Sequence, residues 1–137
     1  MFVYSTKIRV RYAETDQMGY MYHGNYAQFY EVGRVEMLRS LGSSYRAIEE
    51  SGIIMPVVEL RCKFIRPARY DEEIEVRVIL AKLPGLRMHF TYELYNESGV
   101  LINIGETSLA FVNTKINRPC HAPEDFLNKF KAYFEHS

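Results

Sequence analysis

The chain has 137 residues, 47% of them hydrophobic, and 17 basic side chains balance 17 acidic ones. That length predicts one domain over residues 1–137 with one core, and the apolar content excludes a disordered chain. Zero formal net charge removes any global signal for nucleic-acid or membrane-surface binding. No apolar run is long enough to cross a bilayer, and the opening MFVYSTKIRVRY alternates rather than forming an apolar leader. Two distant cysteines, Cys62 and Cys120, make no disulfide framework and point to a reducing, cytoplasmic compartment.

Lys7 to Tyr12, KIRVRY, alternates polar and apolar residues and predicts a half-buried strand. An aromatic-rich loop follows, TDQMGYMYHGNY from Thr15 to Tyr26, with one acid, Asp16, and then Gly19, His23, Gly24 and Asn25. Asn25 is a favoured N-cap type. Tyr26, Phe29, Tyr30, Gly33, Met37 and Leu41 then recur at helical spacing until Gly42 stops the helix. Ala27, Val32, Val35 and Leu38 occupy its other sides, which predicts a helix buried nearly all round. Tyr45 to Ser51 reads as a short second helix closed by Gly52.

Four strand-like runs come next. Val58 to Phe64 alternates until Pro67, Ile74 to Leu80 alternates until the Pro84-Gly85 turn, and Leu86 to Leu94 alternates until the NESG turn at Asn96. Val100 to Asn113 reads as one long strand, with Gly105 marking a bend or bulge. Pro123 to Phe134 reads as a terminal helix with Phe126, Leu127, Phe130 and Phe134 on one face. The order predicts an α+β fold. The last four strands pair as an antiparallel meander, the first pairs elsewhere, and the long helix crosses the concave face of the five-stranded sheet. The open sheet edge predicts a homo-oligomer.

Val10 to Leu38 reads VRYAETDQMGYMYHGNYAQFYEVGRVEML. It resembles the 4-hydroxybenzoyl-CoA thioesterase-like branch of the hotdog superfamily, which includes acyl-CoA thioesterases associated with the Tol-Pal system. The matching positions are Tyr12, Asp16, Gly19, His23, Asn25 and the run from Phe29-Tyr30-Glu31 to Arg34. FIRPARYDEEIEV, Phe64 to Val76, resembles the family's strand and Arg-Pro-Ala turn. The resemblance implies a hotdog fold, a long central helix wrapped by a five-stranded antiparallel sheet, in a homodimer or homotetramer. It also implies hydrolysis of acyl-CoA thioesters to free acid and CoA. Asp16 then acts as nucleophile through a mixed anhydride, or as general base on water, with His23 and the Tyr12 hydroxyl as further catalytic positions.

A thioester carbonyl under attack needs an attacking or base group and preorganised donors for its oxygen. A helix start supplies amides without intrahelical partners at the positive end of a dipole. His23, Gly24 and Asn25 are therefore the oxyanion or substrate-binding candidates, and Gly24 permits close backbone approach. Arg61, Lys63, Arg66, Arg69 and Arg87 are candidates for the CoA phosphates.

Each position also has a plainer reading. From the loop alone Asp16 is an Asx-turn residue, Tyr12 a strand core residue, His23 a helix-start residue, and the arginines a solvated strand face. Glu31 and Arg34, one turn apart, fit a structural pair. The reading includes no cofactor beyond the CoA of the substrate and no metal, since Cys120-His121 has no second ligand pair. There is no G-x-S-x-G and no glycine-rich nucleotide loop. The rival functions are an acyl carrier protein thioesterase and a non-catalytic acyl-thioester-binding protein.

Overall fold

The computed structural model describes residues 1–134. Its main sheet is antiparallel and contains β1 (Phe2–Arg9), β3 (Val57–Phe64), β4 (Glu73–Leu80), β5 (Arg87–Tyr95) and β6 (Leu101–Ala110), in the spatial order β1-β4-β5-β6-β3. The expected meander thus holds for β4, β5 and β6 alone. β3 crosses to the far edge and pairs with β6, with Leu60 opposite Thr107 and Cys62 opposite Gly105. A ribbon of two-residue strands, β2 (Ile53–Ile54), β7 (Val112–Asn113) and β8 (Arg118–Pro119), forms a second sheet. The expected single strand from Val100 to Asn113 is therefore two strands in two sheets.

β1 begins at Phe2 and stops at Arg9, not at Tyr12. Phe2 anchors the start, its ring 5.8 Å from Phe130 and 4.5 Å from Tyr133. After Arg9 the chain turns, because the Glu14 carboxylate accepts the Arg11 amide at 2.8 Å. That bond closes a 3₁₀ turn over Tyr12–Glu14.

The long helix α1 (Tyr26–Ser40) lies across the sheet, and Gly42, at φ 76°, ends it. Gly33 permits the close approach to β4, since a Cβ there would come within 2.7 Å of Val78 Cγ2. The Tyr30 ring stacks on Tyr92 at 4.4 Å and covers Gly105, where any Cβ would meet it. Gly105 is thus a contact site, and the pairing of β6 runs through it without a shift. The helix is not buried all round: Gln28, Glu31, Val32 and Arg39 face solvent. Helix α2 (Tyr45–Glu50) is capped by the Ser44 hydroxyl, which accepts the Ala47 amide at 3.0 Å. Helix α3 (Glu124–Lys131) buries Phe126 and Phe130 against β1 and Phe111.

Candidate active site

The loop between β1 and α1 is a small hairpin. The Asp16 amide donates to the Tyr20 carbonyl at 2.8 Å and the Tyr22 amide to the Glu14 carbonyl at 2.8 Å. Gly19, at φ 79°, allows the turn between them. The hairpin is pinned to the β3–β4 connection, where the Ala68 carbonyl accepts the Met21 amide at 2.7 Å. Glu14 holds its base. It is 6% exposed, it bonds the Arg11 amide, and the Arg11 guanidinium lies 3.4 Å from its carboxylate.

Asp16 is half-buried, and its carboxylate is used asymmetrically. Oδ1 accepts the Met18 amide at 2.9 Å and the Tyr20 amide at 3.2 Å, so the Asx turn is real. Oδ2 has no hydrogen bond among the described residues. Tyr26 lies close by. Its phenol is pushed up, first by burial, against which the Ala68 amide pulls down, with Cys62, Glu72 and Asp16 adding charge.

His23 to Asn25 is a second 3₁₀ turn, running directly into α1. The Asn25 amide bonds the Tyr22 carbonyl at 2.9 Å, and the Tyr26 amide bonds His23. The His23 and Gly24 amides come first in the turn and have no acceptor inside it. A Cβ on Gly24 would lie 2.7 Å from Tyr22 Cε2. Asn25 occupies the N-cap position in a helical conformation, but its side chain caps nothing. Its Nδ2 instead donates to the Glu14 carbonyl at 2.9 Å. The Glu14 carbonyl thus ties the Asp16 hairpin to the helix start.

The other expected residues divide. The His23 side chain is exposed, its ring 4.2 Å from Tyr22. Tyr12 belongs to the turn and not to a strand. It is 77% exposed, with its ring edge-on to Tyr70. Arg66 and Arg69 sit on the β3–β4 connection; the Arg66 amide donates to the Ile102 carbonyl of β6 at 3.0 Å, while Arg69 pairs with Tyr20 of the hairpin and its guanidinium covers the Tyr20 ring at 4.9 Å. Arg61 and Lys63 lie on the outer sheet face, where Arg61 pairs with Glu59 at 3.6 Å and Glu106 at 4.0 Å. Arg87 opens β5 opposite Ala110, at the end of the sheet away from the hairpin. A strand of that length spans about 25 Å, so Arg87 stands apart from the rest. Glu31 and Arg34 do not pair: Arg34 Nη1 turns inward and donates to the Tyr92 hydroxyl at 2.9 Å.

Two contributors escape the sequence reading. Glu14 is one, and its signal is the spacing of three residues from Arg11 that a capping box requires. The Tyr26 hydroxyl is the other; helical periodicity marks it as a core residue and says nothing of its polar end.

An acid with one free oxygen and two helix-start amides without acceptors in their turn, carried by segments tied through the Glu14 carbonyl, are group types suited to acyl transfer. Residues 10–130 match the family described as the thioesterase-like superfamily, and the chain belongs to it. It is similar to YneP of Bacillus subtilis (strain 168), 34% identical over 133 residues, 97% of this chain and 96% of the relative. The acyl-CoA thioester hydrolase YbgC of Escherichia coli O157:H7 is 30% identical over 124 residues, 90% of this chain and 92% of that one. Among solved structures, a DHNA-CoA thioesterase from Staphylococcus aureus superposes with a TM-score of 0.89 at 37% identity, covering 99% of this chain and 91% of its own. The fold is the hotdog fold of these thioesterases.

Proposed function

We propose that this protein hydrolyses acyl-CoA thioesters to free acid and CoA, with Asp16 at the attacking position. The observation that carries the reading is the tie through the Glu14 carbonyl, which binds the Tyr22 amide and the Asn25 side chain together. That tie joins the segment carrying Asp16 to the one carrying the His23 and Gly24 amides, which supports the reading. In one course Asp16 Oδ2 attacks the thioester carbon, the oxygen becomes an oxyanion facing the two amides, and CoA leaves as thiolate. Water then cleaves the mixed anhydride. In the other, Oδ2 takes a proton from water, which attacks directly. Both use the same two amides as donors. Arg69, beside the hairpin, is the better placed for CoA phosphates, with Arg66 on the same connection.

A second copy completes the molecule in this reading. β3 is an edge strand with Leu60 and Phe64 exposed. An uncovered apolar edge of this length is a pairing surface. Both cysteines are free, which fits a cytoplasmic setting, and among the described residues no helix is long and apolar enough to cross a membrane.

The test is thiol release over a panel of acyl-CoA esters with wild type and Asp16→Asn. The variant keeps the shape of the side chain, and its Oδ1 still accepts the Met18 and Tyr20 amides, so the fold persists. Turnover is expected to fall by about a hundred-fold or more. Unchanged turnover removes Asp16 from the mechanism. Release from acyl carrier protein thioesters alone moves the substrate class.

A further inference from the structure

Asn25 sits where a helix cap is expected and does not cap. Its backbone is already helical, at φ −83° and ψ −13°, and its side chain accepts none of the first α1 amides. The 3₁₀ turn over His23–Asn25 takes the place of a cap: the Tyr26 amide bonds the His23 carbonyl, and the Asn25 amide bonds the Tyr22 carbonyl. The side chain is thereby released. It reaches back 11 residues to the Glu14 carbonyl, 2.9 Å away. That oxygen only accepts, so the group facing it is the Nδ2 donor.

The Glu14 carbonyl already has a partner. The Tyr22 amide donates to it at 2.8 Å and closes the Asp16 hairpin, and the Met21 amide pins the same segment to the Ala68 carbonyl at 2.7 Å. The hairpin therefore stands without Asn25. What Nδ2 adds is a crossing. Glu14 stands two residues before Asp16, and Asn25 directly follows His23 and Gly24, whose amides have no acceptor in their turn. Among the described residues, no other side-chain hydrogen bond joins residues 11–16 to residues 23–25.

We propose that the Asn25 side chain is a positioning residue: through the Glu14 carbonyl it fixes Asp16 against the His23 and Gly24 amides, and so sets kcat without binding substrate. The inference rests on the thioesterase reading and adds to it a residue that acts at one remove. Attack by a carboxylate and stabilisation of the developing oxyanion need both groups aligned, and a misplacement of about 1 Å costs up to about a hundred-fold in rate.

The test is thiol release with Asn25→Ala and Asn25→Asp, on the acyl-CoA ester that wild type cleaves fastest. Asn25→Ala loses the donor and should lower kcat about thirty-fold, with KM within about two-fold of wild type. Asn25→Asp has the same shape and is a favoured helix-start residue, so it should hold or raise the melting temperature. It presents an oxygen to the Glu14 carbonyl, so its kcat should fall at least as far. A capping role makes the opposite prediction, and wild-type kcat in Asn25→Asp overturns the proposal. So does a raised KM with kcat unchanged, which marks direct contact with substrate. The double variant Asp16→Asn, Asn25→Ala should be no slower than Asp16→Asn alone, since alignment matters only to a group that reacts. Losses that multiply overturn the proposal. Should Asn25→Ala fail to fold, Asn25→Asp decides. If wild type cleaves no CoA ester, the thioesterase reading fails on its own, and amide hydrogen exchange judges the tie. Exchange at the Tyr22 and Asn25 amides about ten-fold faster in both variants supports it, and exchange at the wild-type rate overturns it.

Discussion

β3 and β4 have the same length and the same alternating chemistry, and opposite fates. In β4, Ile74, Val76, Val78 and Leu80 are fully buried under α1 while Glu73, Glu75, Arg77 and Ile79 face out. In β3, Leu60, Cys62 and Phe64 alternate with Arg61 and Lys63 just as regularly, yet seven of its eight residues are exposed. Alternation records which face of a strand is apolar. It does not record whether the same chain supplies the cover. β4 sits in the second position of the sheet, below the helix, and β3 at the edge beyond it. An apolar face kept at an uncovered edge is what the proposed second copy would cover.

The strongest test of that contrast is one alanine on each strand. Leu80→Ala should cost about 3 kcal/mol of unfolding free energy at any protein concentration, because it empties a filled site in the core. Leu60→Ala should cost less than about 1 kcal/mol in a dilute sample. Its effect should grow with concentration, since a second copy stabilises by mass action. Leu60→Glu should go further and bring the light-scattering mass to that of one chain. Denaturant melts at two concentrations check all three. A concentration-independent Leu60→Ala, in a chain that is a monomer at micromolar concentration, removes the second copy from β3.

Gly105→Ala sharpens the comparison at the boundary between the two regions. Gly105 lies on β6 between Cys62 of β3 and Tyr92 of β5, and the Tyr30 ring rests on it. An added methyl has no space and must displace the ring. The expected cost is about 2 kcal/mol. The Tyr30 to Cys62 contact should loosen with it, read as faster labelling of Cys62 by a thiol reagent in the folded protein. Unaltered labelling would show that the ring moves without opening the β3 side.

How much of this was legible depended on range. β4 and β5 announced themselves through a period of two, and α1 through a period of 3.6 with Gly42 at its end. The Asp16 and His23 neighbourhood was legible as a spaced motif. What failed was set by distant residues. β1 starts at Phe2 because Phe130 and Tyr133 hold it there, and no local pattern encodes that. Tyr12 left the strand because Glu14 closes a turn under it. Arg34 faces Tyr92, 58 residues away, rather than Glu31 one turn away. Two-residue strands such as β2, β7 and β8 have no period to detect. The crossing of β3 to the far edge was equally silent, since any of the four runs alternates well enough to be its neighbour.

The covered half of the molecule also holds phenols, and they give the smallest and most specific effect. Burial raises the Tyr30, Tyr92 and Tyr45 phenols, Tyr45 to about 12. In the unfolded chain a tyrosine ionises near 10. Between about pH 10 and pH 12 the unfolded chain has lost the Tyr45 proton and the folded chain keeps it. The folded state binds more protons there, so stability falls as pH rises through that window and is whole below it. One such group contributes at most about 1.4 kcal/mol per pH unit. Tyr45→Phe should flatten the alkaline limb of a stability-against-pH curve by up to that slope and leave the neutral region nearly level. Tyr12→Phe, at an exposed ring outside the core, should leave the limb as it is. If Tyr12→Phe flattens the limb as much as Tyr45→Phe does, burial beneath α1 and α2 is not what sets the alkaline limit.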